Sequence, residues 1–285
     1  MKRSLILDAL KLLVIFGALW AIFTFLPIFK VDKTPDIISL DTEEKMGKLL
    51  VKEVLMQEKE IKDPKLDTAL ALVTNRLVSN IGLTDYNYHF RVLDNPQINA
   101  FTLPGGNIFI YSGLIKFTKS PEELAAVLAH EIGHAEKRHV VNRLVKEFSL
   151  TVLFSVLTGN KGTIVNEIAR TATSTVFDRK QEAEADDYGF HLLEKSKIDP
   201  IAFASFTRRI NAEQGTNNLD FTILRTHPDN NSRIKAAMEY KTAPGFVAKS
   251  FNMDWDKVKA SLGSDNDKDS DKTPETDPDD TTSTK

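Results

Sequence analysis

The stretch SPEELAAVLAHEIGHAEKRH, from Ser120 to His139, constrains this chain more than any other. Ser120 can accept a hydrogen bond from a first-turn N–H, Pro121 suits the first helical position and Glu123 can complete a capping box, so a helix starts here. Within it, His130, Glu131 and His134 spell H-E-x-x-H. Four residues make little more than one turn, so the two imidazoles share a face and can hold one metal ion with Glu131 beside them. A pattern of three fixed positions also recurs by chance on ordinary surface helices. Its surroundings add weight: the capped start, the apolar Leu124, Val127 and Leu128 leading in, and Gly133 between the histidines. A catalytic zinc takes three protein ligands and keeps a fourth position open, and two histidines with a carboxylate are one such set. The third ligand has to come from elsewhere in the chain.

At 285 residues the chain has ample length for a core, and its net charge of -3 hides an asymmetry. Residues 264–285, SDNDKDSDKTPETDPDDTTSTK, carry most of the acidity and almost no apolar side chains, and are expected to be a disordered acidic tail. The remainder is close to neutral, which speaks against a nucleic-acid partner. The absence of cysteine excludes disulfides, a thiolate-ligated zinc and a lipidated cysteine.

After Lys2, Arg3 and Lys11, the run 12–29, LLVIFGALWAIFTFLPIF, has no charge and is near the lower length limit for a membrane span. Bulky residues continue to Phe29 where a cleavable leader would end in small ones, so an uncleaved signal anchor is expected. The short basic N-tail favours a cytoplasmic residues 1–30 tail and anchor, with the rest outside, in the periplasm of a Gram-negative cell; Lys30 and Lys33 weaken that bias. A linker over 31–39, a main domain over 40–250 and a short extension over 251–263 complete the division.

Helices are expected from Leu40 to Glu60, capped by Asp41 or Thr42, and from Pro64 to about Asn80, with Leu66, Leu70, Val73, Leu77 and Val78 on one side. Tyr86, Tyr88, Phe90 and Val92 alternate with polar residues as in a strand, which leaves His89 on the polar face and outside the site. Residues 94–115 suggest two short strands around Pro104-Gly105-Gly106. The second, Asn107, Ile108, Phe109, Ile110 and Tyr111, is expected to border the cleft and offer a free edge to an extended peptide; an ordinary interior hairpin is the alternative. Beyond His139 the chain stays helical in character, and the run FSLTVLFSVL from Phe148 to Leu157 is too short to cross a bilayer by itself and reads as a buried helix, with a segment dipping into the membrane surface as the alternative.

In DRKQEAEADDYGFHLLEK, Glu182 and Asp186 are spaced i, i+4 while Glu184 points elsewhere. A helix can therefore offer Glu182 to the metal and place Asp186 to fix a ligand histidine's tautomer. A solvated acidic face is the alternative, opposed by Ala183, Ala185 and Gly189, small residues that permit close helix approach.

INAFTLPGGNIFIYSGLI, HEIGH, EAEAD and LRTHPDNNSRI, in that order from about Leu40 to Tyr240, resemble the zinc metallopeptidases of the HtpX and BepA type, peptidase family M48. The resemblance implies an α+β fold, a mainly helical gluzincin-type domain with a small β-sheet bordering the cleft. It implies one zinc ion per chain on His130, His134 and Glu182, with Glu131 as general base and Asp186 orienting a ligand histidine, His130 being the candidate. It also brings His227 of Thr226-His227-Pro228 near the site, either to stabilise an oxyanion or to fill the open position; a turn anchor is the plain alternative. Arg233 reads as a structural partner. Asp178-Arg179 stands where the family usually has Ser-Arg. The implied activity is endopeptidase cleavage of unfolded or misassembled polypeptides in envelope quality control. The rival is a latent or non-proteolytic membrane-anchored binding or chaperone module that keeps a zinc site.

Overall fold

The computed structural model describes residues 38–159, 163–214, 220–228 and 230–262, together with Lys11, Leu13, Val14, Phe16 and Gly17. The chain divides into two compact units, Met1–Ser39 and Leu40–Lys285. In the first, the five described positions between 11 and 17 are helical and exposed. The expected anchor over 12–29, the linker over 31–39 and the acidic tail over 264–285 lie wholly or largely outside the described residues. Among the described residues no helix is long and apolar enough to cross a membrane.

The second unit is mainly helical with a small sheet, as the sequence implied. Helix α1 (Leu40–Gln57) buries Met46, Gly47, Leu50 and Val54 along one face, and its start at Leu40 puts Asp41 and Thr42 inside the first turn rather than at the cap. Helix α2 (Pro64–Val78) is capped by Asp63, whose carboxylate accepts from Leu66 N at 2.8 Å, and buries Leu66, Leu70, Val73 and Leu77. Strands β1 (His89–Leu93), β2 (Ala100–Leu103) and β3 (Asn107–Tyr111) follow, with Gly105 and Gly106 at φ +75° and +73° turning β2 into β3.

The sheet order is β1-β3-β2, which corrects the expected role of β3. This strand pairs in parallel with β1 along its whole length, from His89↔Asn107 to Leu93↔Tyr111, and antiparallel with β2, from Ala100↔Ile110 to Leu103↔Asn107. Asn107, Ile108, Phe109, Ile110 and Tyr111 are all buried and have no free edge to offer a substrate. The interior placement follows from a strand with two apolar faces, whose pairing to β1 spans a crossover that local alternation does not reveal.

A short α3 (Ser112–Phe117) leads into α4 (Pro121–Glu136), the helix that carries H-E-x-x-H. From Pro121 to Ala135 every residue except Glu122 is buried, so α4 is a core helix enclosed on all sides. Arg138, at φ 54°, turns the chain into α5 (His139–Leu157), which is broken at Ser149, φ 56° and ψ 158°. The far half of α5 is only partly buried, with Phe154 at 44% exposure, in contrast to the buried helix expected. Helix α6 (Thr163–Thr173) packs against α5, α1 and β2. Helix α7 (Arg179–Lys195) starts with Asp178, whose Oδ1 accepts from Lys180 N and Gln181 N at 2.9 Å while Gln181 Oε1 accepts from Asp178 N at 3.1 Å. Asp178 thus does the capping work a serine would do there. Helices α8 (Ile201–Glu213), α9 (Thr222–Thr226), α10 (Asn230–Glu239) and α11 (Trp255–Ser261) complete the unit. The last segment returns to the core: Arg76 lies 3.5 Å from the Phe251 ring centroid, and Trp255 Nε1 donates to Thr118 Oγ1 at 3.2 Å.

Helices α4 and α7 pack closely. A Cβ on Gly133 would stand 2.6 Å from Ala185 O, and one on Gly189 would stand 3.2 Å from His130 N. Ala185 and Gly189 therefore serve the close approach expected of them, whereas Ala183 is exposed. At a helix position with room, Gly→Ala gains roughly 0.5–1 kcal/mol. At Gly133 the contact is with backbone that cannot step aside, so the sign reverses. Gly133→Ala is expected to destabilise the protein by about 1–3 kcal/mol in a urea titration.

Candidate metal centre

The capped start of α4 sets the register of its histidines. Ser120 Oγ accepts from Glu123 N at 3.4 Å, while Glu123 Oε2 takes Lys119 N at 2.8 Å and Arg209 Nη1 donates to Oε1 at 2.7 Å. Glu123 closes the box one residue earlier than the motif expects and is locked by an arginine from α8. Nine and thirteen residues beyond Pro121, His130 and His134 come round to face α7, which passes close by because Gly133 lets it.

There, His130, His134, Glu182 and His227 form one buried group whose potential ligand atoms all lie within 4.8 Å of one another. His130 Nε2 is 3.0 Å from His134 Nε2 and 3.2 Å from His227 Nδ1. Glu182 Oε1 is 3.4 Å from His134 Nε2 and 2.9 Å from His227 Nδ1, and its Oε2 is 3.6 Å from His130 Nε2. Three elements supply these groups: α4, α7 and the residue that ends α9. Imidazoles and a carboxylate converging in this way can hold a metal ion.

The surrounding charges are arranged to keep the carboxylates ionised. Burial pushes Glu182 towards its neutral form, but His227, Arg233 and His134 outweigh it and hold its pKa far below the usual carboxylate range. Asp186 is held down in the same way, with Arg233 and His130 outweighing burial. Arg233 Nε and Nη2 each donate to an Asp186 oxygen at 2.8 Å, Nη1 lies 2.9 Å from Glu182 Oε2, and Asp186 Oδ1 is 2.8 Å from His130 Nδ1. Burial drives His134 well below its ordinary pKa, which favours the neutral ring a metal requires. For His227 burial acts in the same direction, but Glu182 and Glu131 prevail and raise it.

Glu131 is 1% exposed on the adjacent flank. Thr102 Oγ1 lies 2.8 Å from its Oε2 and 2.9 Å from its carbonyl oxygen, and its Oε1 is 3.4 Å from His227 Nε2 and has no hydrogen-bond partner.

A sequence profile described as peptidase family M48 matches residues 64–241. The chain belongs to peptidase family M48. It is 31% identical over 228 residues to a beta-barrel assembly-enhancing protease of Yersinia pestis, covering 72% of this chain and 46% of that one. It is 29% identical over 240 residues to the mitochondrial metalloendopeptidase OMA1 of Schizosaccharomyces pombe, covering 79% and 71%. It is 29% identical over 185 residues to the metalloprotease LoiP of Escherichia coli, covering 62% and 71%. The chain spans about half the length of the beta-barrel assembly-enhancing proteases it matches, at 46% and 44%.

The M48 region thus brings together His130, Glu131, His134, Glu182, Asp186 and His227, while the five β3 residues serve the sheet interior. Four contributors were not legible as such. Thr102 sits in a strand with no sign of its contact to Glu131. His139 lies 2.9 Å from His134, and Glu184, assigned to another face, lies 3.2 Å from His139. The signals available for these two were H-E-x-x-H-x4-H and the carboxylates at alternate positions of E-A-E-A-D. Arg233, read as a structural partner, is the cation that compensates two buried carboxylates.

Removing that cation leaves both carboxylates buried without it. Arg233→Ala is expected to destabilise metal-free protein by about 3–5 kcal/mol at neutral pH in urea denaturation. In the unaltered protein the folded pKa values of Glu182 and Asp186 are depressed, so their contribution is full above the ordinary carboxylate pKa near 4 and is lost as pH falls further. In the variant those pKa values rise, and acid instead neutralises buried charge. The deficit is therefore expected to narrow as pH is lowered from about 7 to about 3.

Proposed function

We propose that this M48 protein is a membrane-anchored zinc endopeptidase that cleaves unfolded or misassembled polypeptides, with its main domain outside the cytoplasm and envelope quality control as its setting. The observation that carries the reading is the state of Glu131. A buried carboxylate has one oxygen held by Thr102 and the other without a hydrogen-bond partner, beside four convergent ligand groups. A structural metal site has no use for such a group; a hydrolase does.

The residues fit a zinc ion. His130, His134 and Glu182 form the two-histidine-one-carboxylate set, with Glu182 Oε1 3.4 Å from His134 Nε2, its Oε2 3.6 Å from His130 Nε2, and Arg233 Nη1 balancing its charge at 2.9 Å. When bound, zinc supplies Lewis acidity that acidifies water and polarises a carbonyl. Glu131 Oε1 takes the proton of the attacking water and returns it to the leaving nitrogen, while Thr102 fixes the other oxygen so that the carboxylate cannot rotate away. Asp186 holds His130 through Nδ1, and Arg233 holds Asp186.

The extended substrate is assigned to β2 in place of β3. Tyr111 N donates to Asn99 O at 3.0 Å, and Phe101 pairs with Phe109 in the same phase. Ala100 and Thr102 then direct their backbone groups away from β3, and Thr102 is the residue that touches Glu131. A peptide along that side passes the base. Helix α6 packs against β2, and all four β2 residues are buried, so entry requires α6 to move.

That cover and His227 favour a second reading, a latent form. His227 belongs to the ligand group and can complete the fourth position, closing it to water. Its place beside Glu131 equally suits an oxyanion donor.

Cleavage of unfolded casein by the purified protein, with zinc content measured in parallel, tests the assignment. Glu131→Gln is expected to retain zinc and lose about 10²-fold or more in kcat. Equal cleavage by both proteins overturns the role of Glu131, and no cleavage by either in the presence of zinc favours latency. His227→Ala separates its two roles: a faster reaction identifies a closing ligand, and a slower one with zinc retained identifies an oxyanion donor.

A further inference from the structure

A ligand histidine works only if its second nitrogen is held, because that contact sets both the tautomer and the ring's direction. For His130 the holder is Asp186. Among the described residues no carboxylate meets His134 Nδ1; instead that atom lies 2.9 Å from His139 Nδ1, and His139 Nε2 lies 3.2 Å from Glu184 Oε2. His134 and His139 are buried, whereas the Glu184 side chain is 43% exposed.

The proton order in this row is determined by its ends. With His134 Nε2 kept free for a metal, its proton sits on Nδ1 and needs an acceptor. His139 Nδ1 must then present a lone pair, which places His139's own proton on Nε2, and that proton donates to the Glu184 carboxylate. We propose that His139 and Glu184 are a positioning pair that fixes the tautomer and orientation of His134 for metal binding. The pair rests on the zinc reading above.

Two further features hold the row in place. Phe177 stacks on the His134 ring with centroids 3.8 Å apart and planes at 27°. Arg138 adopts left-handed backbone at φ 54°, a conformation that strains a residue other than glycine, and turns the chain back so that His139 faces His134. Its side chain is fastened to buried Glu43, with Nε at 3.0 Å and Nη2 at 2.9 Å from Oε2. The strained residue and its ion pair set the geometry of the turn that delivers His139.

Three carboxylates at alternate positions of one helix thereby take separate tasks. Glu182 faces the ion, Asp186 holds His130 directly, and Glu184, on the flank, reaches His134 only through His139.

The test is zinc affinity of the full chain, measured by competition with a chromophoric chelator, alongside the absorption spectrum of the Co(II)-loaded protein. Glu184→Ala changes a part-exposed side chain. It is expected to weaken zinc binding about 10-fold, and His139→Leu about 10- to 100-fold, with a shift of the cobalt bands in both. Glu184→Gln keeps an acceptor oxygen and should fall between Glu184→Ala and the unaltered protein. Because Glu184 acts only through His139, the double variant should bind zinc no more weakly than His139→Leu alone. Unchanged affinity and spectrum in Glu184→Ala, or fully additive losses in the double variant, overturn the pair. Glu182→Ala serves as the control for the metal reading. If it too leaves zinc affinity unchanged, the metal assignment fails, and the positioning pair falls with it.

Discussion

The near-contact of two helix backbones is the constraint on which the rest of this structure depends. A metal ion shared by α4 and α7 must lie within about 2 Å of side-chain atoms from both, and histidine and glutamate are too short to span an ordinary interhelical gap. Gly133 against Ala185 and Gly189 against the His130 backbone remove the side-chain layer that usually separates packed helices. The glycine inside H-E-x-x-H belongs to the packing as much as to the motif.

Bringing the helices together concentrates charge away from water, and the fold answers with one guanidinium. Arg233, from α10, pairs with both Glu182 and Asp186, and its 5.0 Å approach to the Phe203 ring adds a further contact to hold it there. The histidines around the same carboxylates divide in response. His134 is pushed towards neutrality by burial, while His227, nearer to both Glu182 and Glu131, is pulled towards the charged form. One enclosed pocket thus holds chemically distinct imidazoles, and the difference comes from which carboxylates each one faces.

Much of the site was legible because helices convert spacing into direction. His130, His134, Glu182 and Asp186 followed from i, i+4 relations within two helices, and the cap at Ser120 was plain from residue type. The fold class was what the family resemblance implied. The rest depended on tertiary facts. Nothing local tells β3 that β1 lies on its other side, since the parallel partner is reached through a crossover. Glu184 points away from the metal by helical geometry, as the spacing said, yet His139 comes in from another helix to meet it. Thr102 reveals its partner only once β2 lies against α4. Residues that act through a neighbour leave no periodic trace.

The C-terminal return carries a different lesson. The family resemblance ends at residue 241, yet Phe251, Trp255 and Val258 belong to the same buried cluster as α2 and α4. Similarity marks where the chemistry has been shared, whereas the cooperative unit is defined by which side chains exclude water together. Here the two boundaries differ by some twenty residues, through 262. A fragment cut at the edge of the shared region would keep every ligand and lose part of the wall that supports them.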